Sequence, residues 1–385
     1  MCLTLEIILM KKIYKLLTVV GTRPEIIKLS VALNKFEKYF NHILVHTGQN
    51  YDYRLNEIFF KDLKIKKPKY FLDCAGSSSL QTIANVISKT EKIFLKEKPD
   101  AIVVYGDTNS CLSVITAKRL KIPIFHFEAG NRSFDQNVPE ELNRKIVDHI
   151  SDINFVLTEH ARRYLLAEGI KGDSIFKTGS FMPEVFIHYN KDLDSEKILL
   201  NNKLKKKQYL LFSFHREENI DNLDNLQKIA ETINYLAKKK DMRILVSTHP
   251  RTQKQLKKLK KFKFDKLVEL HRPFGFFDYI NLQKNAYCTI SDSGTITEES
   301  AILKFPAITI RNSHERPEGM DAGILIMSGL NKEKVFSAID LTINANLNKY
   351  SDNSVADYNN LNVSNQVSKI IFSYIEFVNK NTWKK

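Results

Sequence analysis

Glycine and proline are scarce in this chain, 13 and 10 among 385 residues. That scarcity excludes long low-complexity linkers. The four cysteines, at positions 2, 74, 111 and 288, match no zinc or CxxC spacing. Cys111 and Cys288 sit in apolar contexts, where small buried thiols are usual, and this fits a reducing cytoplasm. No apolar run approaches transmembrane length. The N-terminus, Met1 to Lys12, carries Glu6, has no basic stretch before its apolar residues and no small-residue cleavage site. A signal peptide is therefore not expected, and Met10 is an alternative start. HExxH, compact His/Cys clusters and GxSxG are missing, so neither a metal nor a serine nucleophile is expected. Acidic residues are in deficit: 44 against 59 Lys and Arg give a net charge of +15 and a pI near 9.4. A basic surface favours anionic ligands such as nucleotides. Lysine-rich composition accounts for the excess without a nucleic-acid partner, and aromatic-basic interleaving is absent.

What is present is ample apolar residue content, 43%, arranged as alternating strand and helix patterns. Tyr14–Val20, Asn41–His46, Ala101–Tyr105, Ile122–Phe127 and Asp152–Leu157 read as strands, with helices at Pro24–Phe36, Leu80–Lys96 and from Glu159. After a polar, Lys-rich stretch at Leu199–Lys207 the pattern restarts. Strands follow at Tyr209–Ser213, Arg243–Ser247, Leu267–Leu270, Tyr287–Ile290 and Ala307–Ile310. Apolar strands without period-2 alternation, interleaved with helices, signal parallel sheets covered on both faces. The expectation is an α/β fold of two Rossmann-like doubly wound domains facing a cleft. Their spans are 12–190 and 191–362, with a C-terminal helix in 363–385 packing back on the first domain. Lys254–Lys266 reads as a solvated basic helix.

Polar residues gather where these strands end. The segment from His126 to Arg144 puts Glu128, Asp135, Glu140 and Glu141 into a loop-like region, and Gly106-Asp107-Thr108 ends the preceding strand. Carboxylates there present acid and base groups to a ligand. Gly21-Thr22-Arg23-Pro24-Glu25 opens a helix, with Thr22 placed to cap it and Pro24 suited to the first turn. Arg23 and Lys28 add charge at that anion-attracting terminus. His215 and Arg216 hold the matching place in the second half. Ser293 and Gly294 would offer backbone N–H groups to a phosphate, and Glu299, about one and a half turns into the following helix, could accept from ribose hydroxyls. Thus Arg23, Lys28, His215, Arg316 and the Ser293-Gly294 turn could hold a diphosphate, while Asp107, Glu128 and Glu140 could act on a sugar.

Gly-Thr-Arg-Pro-Glu, Gly-Asp-Thr, Glu-Ala-Gly-x-Arg, Pro-Glu-Glu-x-Asn-Arg, Asp-Ser-Gly and Glu-Arg-Pro-Glu follow one another in this order. Together they make the chain, over roughly residues 12–380, resemble the non-hydrolysing UDP-N-acetylglucosamine 2-epimerases. The resemblance implies a glycosyltransferase-B-like fold, a UDP-sugar substrate, no cofactor and a cytoplasmic homodimer. It also implies epimerisation by elimination of UDP to a 2-acetamidoglycal and re-addition with carbon 2 inverted. Asp107, Glu128 and Glu140 match the acid/base and sugar-contacting carboxylates. Arg23, Lys28, His215, Ser293, Gly294, Glu299 and Arg316 match substrate-binding positions, and Phe274 and Tyr279 fall where the family contacts uracil.

Three departures mark this sequence: Asp292-Ser-Gly-Thr295, His314 before Glu-Arg-Pro-Glu, and Asn131 within Glu-Ala-Gly-Asn-Arg. They resemble the branch that forms UDP-N-acetyl-L-fucosamine from UDP-N-acetyl-L-talosamine for capsule and O-antigen synthesis. The housekeeping reaction, UDP-N-acetylglucosamine to UDP-N-acetylmannosamine, is the alternative. A hydrolysing epimerase and a glycosyltransferase are further rivals. The Gln-His pair linked to activation by UDP-N-acetylglucosamine is Gln49-Asn50 here, which puts that activation in question.

Overall fold

The computed structural model describes residues 13–49, 60–259, 262–346 and 354–385. Cys2, the alternative start at Met10 and Asn50 lie outside them. The chain divides into two compact units, one running to Val185 and completed by Asn360–Lys385, the other spanning Phe186–Asn359. Each is an α/β unit around one all-parallel sheet, so the fold is of the expected glycosyltransferase-B-like class.

The first sheet contains β1 (Lys15–Val20), β2 (Asn41–His46), β3 (Tyr70–Phe71), β4 (Ala101–Tyr105), β5 (Ile124–Ala129), β6 (Ile153–Val156) and β7 (Ile175–Lys177). Their order is β3-β2-β1-β4-β5-β6-β7. Helices α1 (Arg23–Tyr39), α2 (Ser79–Glu97), α3 (Ser113–Arg119) and α4 (Pro139–Ile150) belong to the crossovers. Leu17 and Val19, Ile43 and Val45, and Ile102 and Val104 alternate onto one face and pack with Phe94 of α2 and Val114 of α3. Each aliphatic side chain so buried contributes about 1.5–3 kcal/mol. The terminal helix Val363–Val378 closes this unit through aromatic contacts, Phe372 against Tyr14 and Phe40, and Tyr374 against Phe176.

In the second unit the strands are β8 (Tyr209–Ser213), β9 (Arg243–Ser247), β10 (Val268–His271), β11 (Cys288–Ser291), β12 (Ala307–Thr309) and β13 (Ile326–Met327), ordered β10-β9-β8-β11-β12-β13. Both orders reverse direction at the first strand, between β1 and β4 and between β8 and β11. A parallel sheet opens a ligand crevice at the carboxyl ends of the strands at such a point.

Some expectations need correction. The helix expected over Lys254–Lys266 is Pro250–Leu256 only. Lysines at 254, 257 and 258 would stack like charges at helical spacing, whereas leaving the helix lets Leu259 and Phe264 pack against the core. β3, β7 and β13 have two or three residues each, too few to show periodicity. The acidic segment is not one loop: Glu128 lies within β5, and Glu140 and Glu141 form the first turn of α4, where carboxylates meet the helix dipole.

Candidate active site

In the first unit the β1–α1 turn carries Arg23. Thr22 occupies the cap position, but its hydroxyl makes no cap bond and instead donates to Glu25 Oε1 (3.1 Å). Glu25 also accepts from Gly21 N–H at Oε2 (2.6 Å) and from the Thr108 hydroxyl at Oε1 (2.6 Å). Burial pushes the Glu25 carboxyl up to about 7, although these hydrogen bonds favour its charged form.

Glu128 sits at an irregularity of β5, where the register against β6 shifts between Phe127 and Ala129. Its φ is +63°, a left-handed conformation that a non-glycine residue adopts at a cost. A bulge of this kind re-aims one side chain. Glu128 Oε2 meets Lys28 Nζ at 2.6 Å, and the Asn131 amide donates to Oε1 at 3.3 Å. Lys28, expected on the diphosphate, is therefore a buried partner of a catalytic candidate. Its ammonium also lies 5.3 Å from the centre of the Tyr105 ring.

Asp107 follows β4, the neighbour of β5. Arg144 of α4 grips its carboxylate through Nε (2.8 Å) and Nη2 (2.7 Å), and the Asn143 amide donates to its backbone carbonyl (2.9 Å). Glu140 is half-buried on the first turn of α4, and its side chain forms no hydrogen bond or ion pair among the described residues. Its neighbour Glu141 is 1% exposed and is consumed structurally. It accepts from Ser133 N–H, the Ser133 hydroxyl, Phe134 N–H and Arg144. Burial opposes its charge, but those donors outweigh burial and hold its carboxyl below the usual range. The buried Arg132 ties the same segment to Asp148 and Glu168, each at 2.7 Å.

In the second unit Asp292, fully buried after β11, is the organising group. It accepts from the backbone N–H groups of His215 and Arg216 and from the Asn219 amide. Burial would raise its carboxyl, but the His215 ring and these donors more than offset it, and the group stays below its usual range. His215 Nδ1 lies 3.2 Å from Asp292 Oδ1 and the imidazole is about half exposed. With Nδ1 engaged, Nε2 is the nitrogen left to meet a ligand.

The Ser293-Gly294 turn differs in detail from its expected form. Ser293 N–H donates to the Ser291 hydroxyl (3.0 Å), and the helix begins only at Ile296. Glu299 is thus about one turn in, 8% exposed, accepting from the Gln283 amide (2.7 Å). Space is tight at Gly294: a Cβ there would lie 2.2 Å from Glu315 Oε1, so that carboxylate would have to move. Glu315 is held by Arg311 (2.7 Å) and approached by Arg216 (3.5 Å). Arg316, expected on a diphosphate, is 3% exposed and pairs with Glu298 at 2.8 Å. Tyr279 and Phe274 both pack against the cluster of Leu211, Leu245 and Leu282. The Tyr279 hydroxyl shares a hydrogen bond with Ser213 (2.7 Å), while Phe274 tilts against the His271 ring.

The departures lie on these groups. Asn131 bonds Glu128, the Thr295 hydroxyl meets that of Ser293 (3.0 Å), and His314 Nδ1 accepts from Arg316 N–H (3.2 Å). Glu25, Asp292 and Glu315 lie inside recognised motifs, but their organising roles come from partners 73 to 99 residues distant. Among the described residues no group of His, Cys, Asp or Glu could hold a metal ion, and no helix is long and apolar enough to cross a membrane.

A structure of UDP-N-acetylglucosamine 2-epimerase from Rickettsia bellii is 48% identical, with a TM-score of 0.89, covering 97% of this chain and all of that one. The Methanocaldococcus jannaschii UDP-N-acetylglucosamine 2-epimerase is 39% identical over 87% of this chain and 93% of its own. Its structure with UDP-GlcNAc and UDP superposes with a TM-score of 0.86, at 37% identity over 93% of this chain and 99% of that one. A UDP-2,3-diacetamido-2,3-dideoxy-D-glucuronate 2-epimerase of Pseudomonas aeruginosa is 33% identical over 83% of this chain and 90% of its own. The family model described as UDP-N-acetylglucosamine 2-epimerase matches residues 32–372, and with the two strand-end constellations this assigns the chain: it belongs to the UDP-N-acetylglucosamine 2-epimerase family.

Proposed function

We propose that this enzyme inverts carbon 2 of a UDP-2-acetamido-2-deoxyhexose by eliminating UDP and adding it back. The observation that carries the proposal is the Lys28–Glu128 pair at the left-handed bulge of β5, beside Asp107 at the end of the adjacent strand. The carbon 2 hydrogen of such a sugar is not acidic in itself. Breaking the anomeric C–O bond builds positive charge at carbon 1 and acidifies the neighbouring C–H. Cationic and N–H groups around the departing diphosphate lower that barrier. His215, Gly294 and Arg216 at the strand ends of the second unit are assigned that task. Inversion removes a proton from one face and returns one to the other, which calls for more than one carboxylate. Glu128, Asp107 and Glu140 fill those roles. Arg316 supports the site through Glu298. Phe274 and Tyr279 are assigned to the uracil, and Glu299 to the ribose.

Two substrate pairs satisfy this chemistry. UDP-N-acetylglucosamine and UDP-N-acetylmannosamine are supported by the names of the relatives. UDP-N-acetyl-L-talosamine and UDP-N-acetyl-L-fucosamine are supported by Asn131, Thr295 and His314, each bonded to a group assigned to the site or, for His314, to the backbone of Arg316. Incubation with each UDP-sugar in deuterium oxide, watching carbon 2 by proton NMR, separates them. Deuterium incorporation with UDP-N-acetylglucosamine alone removes the L-sugar reading. Incorporation with UDP-N-acetyl-L-fucosamine alone removes the other. Stoichiometric release of free UDP with product would replace both with a hydrolysing epimerase. The proposal includes a cytoplasmic location and a homodimer, and sedimentation of the purified chain tests the latter.

A further inference from the structure

We infer that Glu25 is a positioning residue of this site: one buried carboxylate that registers the turn bearing Arg23 against the turn bearing Asp107. An acid in the first turn of a helix ordinarily serves its own helix start. The bonds from Gly21 and Thr22 fit that description. The third bond, from the Thr108 hydroxyl at 2.6 Å, does not, because Thr108 is 83 residues away and adjoins Asp107. The Thr108 hydroxyl in turn accepts from Ser110 N–H (3.3 Å), which caps the short 3-10 turn Asn109–Leu112. Asp107 is gripped from the other side by Arg144 and Asn143 of α4. The Asp107 turn is therefore clamped between α1 and α4, and Glu25 is the α1 jaw.

Glu25 is 3% exposed and pairs with no cation among the described residues. A buried carboxylate is costly unless hydrogen-bonded. Its retention makes physical sense if those bonds set geometry that the neighbouring turns could not set alone. Both turns lie at the switch point of the first sheet, so a slip of about 1 Å there would misplace Arg23 relative to Asp107, and misplacement of that size can cost about a hundredfold in rate.

The inference rests on the epimerase reading. The test measures exchange at carbon 2 with UDP-N-acetylglucosamine and with UDP-N-acetyl-L-fucosamine, for the wild type and for Glu25→Gln, Thr108→Val and Thr108→Ser. Gln keeps the shape of the side chain and leaves the Thr108 cap of the 3-10 turn in place, Val removes the tie to Glu25 together with that cap, and Ser restores the hydroxyl that makes both. Thr108→Val and Glu25→Gln are each expected to lower kcat about tenfold or more, with KM changed less than about threefold. Thr108→Ser should recover most of kcat. The double variant should be no worse than the worse single one, because both break one connection. A role in stability alone would move activity only in step with the unfolding temperature. Unchanged kcat in Thr108→Val, additive losses, or Thr108→Ser as impaired as Thr108→Val would each overturn the inference while the wild-type signal leaves the epimerase reading standing. A wild type that exchanges neither sugar overturns both.

Discussion

The buried Glu25 carboxyl makes a quantitative prediction about stability against pH. In the folded first unit its pKa rises from 4.5 to about 7, chiefly because burial penalises the charge. Between those two values the folded chain holds a proton that the unfolded chain has released. Stability from this group is therefore fully present below about pH 4.5 and is lost as pH rises through about 7. A difference of 2.5 pH units, at about 1.36 kcal/mol each, amounts to about 3 kcal/mol. For a unit of this size, about 2–4 °C per kcal/mol turns this into an unfolding-temperature change of about 6–12 °C. The comparison is between wild type and Glu25→Gln, scanned thermally from pH 5 to 8. The variant should lack this component, so the two stability curves should converge or cross as pH falls. Cys111 on the β4–α3 connection feels the Glu25 charge, and Arg23 and Lys28 share its helix. They are present in both proteins, so their direct titration drops out of the difference. Parallel curves over the whole range would refute the reasoning, since they would mean that Glu25 titrates as it does in the unfolded chain.

Three further outcomes follow from the site. Lys28→Met takes from Glu128 the cation that lies 2.6 Å from it and should cost about 3 kcal/mol, part of it regained in Lys28→Met/Glu128→Gln; denaturant titration measures both. Asp292→Asn turns an amide N–H₂ toward donors that a carboxylate accepts, so UDP affinity measured by calorimetry should fall at least tenfold, about 1.4 kcal/mol. Gly294→Ala forces a methyl group against the buried, Arg311-held Glu315, and UDP binding should weaken by a similar factor while the second unit stays folded by circular dichroism; unaltered affinity would show that Glu315 yields.

Much of the fold was readable because long apolar strands and amphipathic helices announce themselves, and β2, β4, β8 and β9 have the limits read from the sequence. β3, β7 and β13 carry only two or three residues each, too few for a pattern. The placing of site residues at strand ends was equally readable, as for Asp107 and His215. What each side chain does there was not. Lys28 is claimed by Glu128 across 100 residues, Arg316 by Glu298, and Asp292 gathers donors from a turn 73 to 77 residues earlier. Such assignments depend on which strands become neighbours. Local sequence fixes a residue's element but not the partner waiting on the adjacent one. The left-handed backbone of Glu128 was hidden for a related reason, since glutamate gives no signal of positive φ and the bulge exists only relative to β6.

The first unit is discontinuous in the chain, and this bears on how the protein is made. Its last helix, Val363–Val378, emerges from the ribosome only after the whole Phe186–Asn359 unit has been synthesised. Those intervening 174 residues take about 10–35 s at ordinary elongation rates. During that interval Tyr14, Phe40 and Phe176 wait without Phe372 and Tyr374, while the contiguous second unit has everything it needs to fold. The half synthesised first is thus completed last, and a truncation before Val363 would strand the nascent first unit with an uncovered aromatic face.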